Sequence, residues 1–137
     1  LSLMRTTNLA SAISTIEGIF GTHLKTHREI LANAVTTGKA SGWAWYNCKV
    51  ELMNEQMVYG ASAWGESTYN NGHQVGSGKQ QLPLFSLNPQ SINTRQSYWL
   101  RDVVSASFFA DADGSGHAYG RAGASVSYGV RPAFCIS

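Results

Sequence analysis

From Ala110 to Ala124 every even-numbered residue is alanine or glycine: Ala110, Ala112, Gly114, Gly116, Ala118, Gly120, Ala122 and Ala124. The odd positions between them are Asp111, Asp113, Ser115, His117, Tyr119, Arg121 and Gly123. A period of two belongs to the β-strand, whose successive side chains point to opposite faces. Such a segment has one face on which nothing exceeds a methyl group and one that is chemically mixed. A plain Gly/Ala-rich hairpin turning at Asp113-Gly114 satisfies the same pattern. After Ala124 the phase slips, and Val126 and Tyr128 alternate against Ser125, Ser127 and Gly129, which requires a bulge or a turn. The odd positions, with Val126 and Tyr128, are expected to be mostly solvent-exposed and grouped on one face.

A second feature concerns the same region. Lys, Gln, Glu, Met and Trp occur 22 times in residues 1 to 102 and not once from Val103 to Ser137. Strand propensity explains a shortage of Lys and Glu there, but not the loss of Trp and Met.

Upstream, the period is helical. Leu9, Ile13, Ile16 and Phe20 lie on one helix face, with Thr7 or Asn8 as cap and Gly21 as terminator. Thr26 and Glu29 have capping-box spacing ahead of Ile30, Leu31 and Val35, which predicts a second helix ending at Gly38. Gly42 to Gly60 reads as two strands, Trp43 to Tyr46 and Val50 to Tyr59, with Asn54-Glu55 as a turn. Residues 60 to 81, rich in Gly, Ser and Asn, read as a long exposed loop. Leu82-Pro83-Leu84-Phe85 and Asn88-Pro89 suggest an anchored irregular segment. Tyr98 to Asp102 then opens an all-β tail. Helices followed by strands predict an α+β domain. Residues 1–38 form an N-terminal helical segment, either part of that domain or a link to a larger protein, and residues 39–137 form the main unit.

Composition narrows the function classes. A chain of 137 residues supports one core. With 43% apolar and 13% charged residues, it is not expected to be disordered. A formal charge of +2 with scattered Lys and Arg argues against nucleic acid as partner. No apolar run approaches the roughly 20 residues of a membrane span, so no membrane insertion is expected. The chain opens at Leu1 without a signal-peptide pattern and is expected to be a piece of a longer protein. Cys48 and Cys135 are too few for a disulfide framework and read as two buried thiols, their pairing left open.

Several constellations fall short of a site. Asp111, Asp113, Ser115 and Gly116 match positions 1, 3, 5 and 6 of a calcium loop, but position 12 is Ala122 rather than a bidentate Glu. His23 and His27 have a zinc-compatible spacing on a helix without a nearby third ligand. No metal or other cofactor is therefore expected. A triad drawn from a serine, His117 and Asp102 lacks a nucleophile elbow. Trp43, Trp45, Trp64 and Trp99 could be a sugar-stacking platform, although Trp43 and Trp45 at strand spacing read as core.

Tyr98-Trp99-Leu100-Arg101, the Ser/Phe stretch after it and the terminal Gly129-Val130-Arg131-Pro132-Ala133-Phe134 resemble a phage and bacterial domain family. So does Lys49-Val50-Glu51-Leu52-Met53-Asn54-Glu55 followed by Val58-Tyr59-Gly60. That family is similar to the variable proteins of diversity-generating retroelements, which carry a C-type lectin fold. The resemblance spans roughly residues 40 to 137. In such systems adenine randomisation of Asn codons cannot yield Lys, Gln, Glu, Met or Trp, the set missing from the tail. The resemblance implies a C-type-lectin-like fold with short antiparallel strands and long loops. It implies that Trp99, Arg101, Arg131, Pro132 and Phe134 are fixed scaffold. It also implies a variable ligand-binding face at Asp111, Asp113, Ser115, His117, Tyr119, Arg121, Gly123, Val126 and Tyr128. The fold likeness extends to formylglycine-generating enzymes, whose chemistry needs a cysteine pair at the site, whereas Cys135 reads as core. The expectation is a binding module and not an enzyme. It would be displayed on a virion or bacterial cell surface and recognise a host cell-surface protein or glycan. Other virion subunits and a homo-oligomer are further partners to expect. The second reading is a structural or decoration domain of a virion protein with no dedicated ligand. Tyr and Arg as anchors beside adaptable Ser and Asp match the composition of a paratope.

Overall fold

In the computed structural model, residues 4–36, 39–64 and 81–137 are described. The first helical face forms as its spacing predicts. A π-helical turn, Met4–Leu9, runs into α1, Ala10–Phe20, and Gly21 ends it at φ +51°, a left-handed conformation that suits glycine. Neither Thr7 nor Asn8 serves as the cap, because helical backbone already begins at Met4. Met4 and Leu9 are buried, and the Phe20 ring packs on Phe134 at 5.1 Å.

The second predicted helix is absent. A short 3-10 turn, Gly21–His23, leads to β1, Leu24–Lys25, and then to β2, His27–Thr36, a ten-residue strand. It pairs antiparallel with β3, Lys39–Cys48, matching Ile30 to Trp45. Helix propensity is a weak preference, and here tertiary contacts override it. Ile30 is buried, and the Glu29 carboxylate takes a 2.6 Å bond from Arg101. Residues 37 and 38, where the helix was to end, lie outside the described residues, as does most of the expected 60–81 loop. The ribbon also revises the reading of Trp45, which is exposed, with the Arg28 guanidinium 4.8 Å above its ring.

β4, Val50–Leu52, is followed by a helix rather than a turn and strand. Asn54 caps α2, Glu55–Tyr59, its Oδ1 accepting from the Met57 N–H at 2.8 Å, and Gly60 closes it at φ +79°. Next come α3, Pro83–Leu87, a 3-10 turn at Pro89–Ile92, and β5, Tyr98–Val103. β6, Phe108–Ala112, and β7, Ala118–Gly123, form a hairpin. β8, Gly129–Val130, and β9, Pro132–Ile136, end the fold.

Among the described residues the strands form three sheets: β1-β9-β4, the β2-β3 ribbon, and a four-stranded sheet ordered β7-β6-β5-β8. Pairing is antiparallel except between β5 and β8. The architecture is α+β. In the four-stranded sheet, β5 is buried on both faces. Tyr98 and Leu100 join Met53, Val58, Phe85, Ala110 and Ala112 in one apolar cluster. Trp99 joins Met4, Leu9, Leu52 and Ala122 in the other. The N-terminal segment thus contributes to the same core through Met4 and Leu9, and among its described residues only Met4 to His23 is helical.

The segment Lys49 to Glu55 is wired into this core by polar groups. Arg5 makes a two-pronged ion pair with Glu51 at 2.7 and 2.9 Å, and the Tyr46 hydroxyl donates to the same carboxylate. Arg101 Nη1 donates to the Leu52 carbonyl at 2.9 Å, and Asp102 accepts from the Glu55 N–H at 2.7 Å. Arg131 donates to the Ser91 carbonyl and lies over the rings of Phe85 and Tyr98. Of the residues implied to be scaffold, Trp99 and Arg101 are buried, while Arg131, Pro132 and Phe134 are half-buried. The expectation of buried thiols is corrected: both cysteines are free, Cys48 half-buried and Cys135 exposed on β9, paired only with the two-residue strand β1 on that side.

Candidate functional site

The β6–β7 hairpin turns through Asp113 to His117. The Asp113 carbonyl accepts from the Gly116 N–H at 2.9 Å, and Gly116 takes φ +89°. Asp113 also closes the turn with its side chain. Oδ1 accepts from the N–H groups of Ser115 (2.8 Å) and His117 (2.9 Å), and Oδ2 lies 3.3 Å from His117 Nδ1. The His117 N–H, foremost among these donors, holds the Asp113 carboxyl below the usual carboxylate range.

Six of the eight small even positions have a neighbour that explains them. Ala110 and Ala112 are fully buried beside Tyr98 and Leu100. A methyl on Gly114 would touch the Arg95 carbonyl at 3.4 Å, and one on Gly116 would press on Asn93 N at 3.1 Å. One on Gly120 would collide with the Trp64 side chain at 2.5 Å. Ala122 is buried beneath Trp99 and Leu52. These small residues do not share one face, since Ala110 and Ala112 lie with Tyr98 and Leu100 and Ala122 lies with Trp99, but neighbouring backbone or rings fill the space that larger side chains would need there.

The mixed positions divide. Ser115, His117, Tyr119, Arg121 and Val126 are exposed; Asp113, Gly123 and Tyr128 are half-buried, Tyr128 with its ring 5.0 Å from that of Trp99. A turn in which Val126 N–H donates to the Gly123 carbonyl accounts for the phase slip. Asp111 departs from the expectation: it is 1% exposed, and neither carboxylate oxygen has a hydrogen-bond partner among the described residues. The cause lies in the register. Phe109 faces Ala122 and Asp111 faces Tyr119, so Ala110 alone opposes both Gly120 and Arg121. That bulge breaks the single alternation, and on its other side Asp111 faces Trp99 of β5. Burial, and then the charge of Asp113, push the Asp111 carboxyl up to about 6.

Trp64 lies outside the alternating segment and completes the surface. Its backbone N–H donates to both Glu55 carboxylate oxygens (3.0 and 3.1 Å), and its indole N–H donates to the Ala118 carbonyl at 3.0 Å. Glu55 is fully buried and also accepts from the Ala63 N–H. Trp64 nevertheless remains 41% exposed and Tyr119 42%, their rings 6.4 Å apart and tilted by 55°. Beside the hairpin tip, Pro89, Gln90, Ile92, Asn93, Arg95 and Ser115 line an open cleft of about 630 Å³. Sequence reasoning placed Trp64 in a stacking platform with three other tryptophans, of which Trp99 is buried. What singles out Trp64 is Gly120, a contact between residues 56 positions apart that no local pattern reveals.

The profile of the family described as Domain of unknown function (DUF6273) matches residues 24–137. The chain belongs to this family. The match takes in the whole hairpin, Trp64 and the Lys49–Glu55 segment, and it leaves out the N-terminal helix. No curated protein and no solved structure matches the chain. In this DUF6273 domain the remaining candidate constellations are reassigned by their contacts. Asp102 accepts from Glu55 N–H and His117 pairs with Asp113, so the two are engaged separately rather than as a triad. His23 lies in a 3-10 turn and His27 in β2, not on one helix. His27 Nε2 approaches both Cys48 Sγ (3.6 Å) and Glu29 Oε1 (3.4 Å). Burial foremost, then the charges of Glu29 and Glu51, push the Cys48 thiol up to about 11, opposite to the activation a nucleophile needs. Among the described residues no group of three or more His, Cys, Asp or Glu side chains is placed to hold a metal ion.

Proposed function

We propose that this DUF6273 domain is a ligand-binding module with a C-type-lectin-like fold, displayed on a virion or bacterial cell surface for host recognition, and not an enzyme. Its binding face is the β6–β7 hairpin, with Ser115, His117, Tyr119 and Arg121 as the ligand-contacting set. One observation carries this reading. Six small positions of the hairpin are packed against neighbours, while these four side chains stand in solvent and leave the core untouched. Such a surface can change its chemistry without unfolding the scaffold, because exposed substitutions generally cost little. Absence of Lys, Gln, Glu, Met and Trp from residues 103–137 supports the same reading, since adenine randomisation of Asn codons leaves that signature. Asp111 is buried, Asp113 closes the turn and Tyr128 packs on Trp99, so these three fall outside the contact set.

The test replaces His117, Tyr119 and Arg121 together by Ser in particles or cells bearing the domain. Adsorption to host cells should be lost while assembly and folding persist. Intact adsorption, with failed assembly, would instead support the structural or decoration role. The β2–β3 ribbon favours that second role, because it pairs only with itself among the described residues and exposes Trp45. Neighbouring DNA offers an independent check: a reverse-transcriptase gene and an adenine-rich near-copy of the tail are expected.

A further inference from the structure

The open cleft beside the hairpin tip lies between two pieces of backbone that the core holds in place. One side is the 3-10 turn Pro89–Ile92 with Asn93 and Arg95; the other is the tip at Ser115 and Gly116. Arg131 Nη1 donates to the Ser91 carbonyl at 2.7 Å and the Tyr98 hydroxyl to the Ile92 carbonyl at 3.2 Å, which fastens the turn. The Tyr59 hydroxyl donates to the Gly116 carbonyl at 3.2 Å and fastens the tip, which sits close against Asn93 because Gly116 has no side chain. Fixed walls remove part of the ordering cost of binding, and about 630 Å³ is an ordinary size for a small-ligand site.

Among the described lining residues Arg95 alone carries a charge. It stands at φ +61°, a left-handed conformation that strains a residue other than glycine or asparagine. Asn93 Oδ1 holds it there by accepting from the Arg95 N–H at 2.8 Å. The Arg95 side chain is exposed, and its guanidinium has no hydrogen bond or ion pair among the described residues. Nothing in the fold repays that strain, and backbone strain of this kind gathers at ligand sites.

We propose that this cleft binds a carboxylate-bearing sugar, a uronate or sialate unit of a surface glycan, with the Arg95 guanidinium on its carboxylate. This rests on the reading of the hairpin as a binding face and names the ligand chemistry at its Ser115 end. A guanidinium meets a carboxylate with two parallel hydrogen bonds. Gln90, Asn93 and Ser115 supply amide and hydroxyl groups for ring hydroxyls, and Pro89 and Ile92 supply apolar surface for the C–H face of the ring. An acidic peptide side chain would engage Arg95 but leave those neutral polar groups unused, so a sugar acid is favoured. The nearby Asp113 carboxylate is turned into its own loop by the N–H groups of Ser115 and His117, away from an incoming anion.

The experiment uses the whole chain and follows the Ser115 and Gly116 N–H groups by NMR during titration. Methyl glucuronide and methyl sialoside are the two acidic sugars, and the tighter of them names the source. Methyl glucoside is the neutral counterpart, and acetate and acetyl-glutamate methylamide carry the charge without the sugar. Saturable shifts from an acidic sugar are expected, with methyl glucoside about tenfold weaker, as befits loss of a charge-assisted contact. Arg95→Gln should erase that preference. Arg95→Asn should erase it without lowering Tm, because asparagine tolerates left-handed backbone. Arg28→Gln, an equal loss of charge on β2, should leave it unchanged. Equal affinity for methyl glucoside, binding of acetate or acetyl-glutamate methylamide as tight as that of the sugar acids, or an unchanged preference in Arg95→Gln would overturn the proposal. So would an equal loss in Arg28→Gln, which means net charge alone, or a fall in Tm in Arg95→Asn, which gives Arg95 a structural duty. If sugar acids bind while adsorption survives both Arg95→Gln and the serine-substituted hairpin, the host-recognition reading fails and the cleft site stands. If adsorption depends on the hairpin and no sugar acid binds, the cleft site alone fails.

Discussion

Asp111 illustrates how far one residue's environment departs from its sequence position. Its carboxyl titrates near 6 when folded against an ordinary value of 3.8, so the fold favours the protonated form. A raised carboxyl contributes its full stability below the ordinary value and loses that contribution as pH climbs through the folded one. Asp111→Asn, which keeps the neutral shape, should therefore raise Tm at pH 8 and change it little at pH 4. Equal effects at both pH values would place the carboxyl in contact with water. The thiols give a second test at this scale. Cys135 is exposed, whereas Cys48 is half-buried with its thiol pushed up to about 11. Maleimide at pH 7.5 should label Cys135 well before Cys48, read by mass spectrometry of Cys→Ser variants.

The β6–β7 hairpin is an element whose two kinds of position carry separate duties. Replacing His117, Tyr119 and Arg121 together by Ser should cost no more than about 0.5 kcal/mol per site, because these side chains are exposed. Ala112→Leu or Ala122→Leu should cost about 1–3 kcal/mol each by overpacking. Asp113→Ala belongs with the damaging group despite its place among the mixed positions, since it removes the acceptor for two turn N–H groups. Circular dichroism melts of the sets side by side settle the matter. A tolerated leucine set with an unfolded serine set would mean that the alternation records something other than packing.

At the scale of the molecule, the family match begins at residue 24 while the core begins at Met4. Met4 and Leu9 cover Trp99, Leu52 and Ala122, and Arg5 neutralises the buried Glu51. Deleting residues 1–23 would uncover that cluster and strand a buried carboxylate, and breaking a buried ion pair alone typically costs about 3–5 kcal/mol. The shortened chain should lose cooperative unfolding in urea, or keep it at a much lower midpoint. An unchanged midpoint would show the N-terminal helix to be an appendage.

Local chemistry by itself determined the class of fold, the first helix, the strand through Trp43 to Tyr46 and the hairpin at Asp113, because periodicity and turn residues act over a few neighbours. It also marked the small positions of the hairpin, but not the bulge that sends them to opposite faces. Other decisions needed the assembled structure. Thr26 to Val35 holds a helix-like pattern, yet Arg101, 72 residues away, draws Glu29 into a strand. Asn54 caps a helix rather than forming a turn, because β4 delivers the chain into the core at that point. Asp111 is buried because a bulge opposite Ala110 shifts the register, and Trp64 joins the surface because Gly120 admits it. Each of these depends on contacts between residues far apart in sequence, where spacing carries no information and only packing and charge pairing choose among the local alternatives.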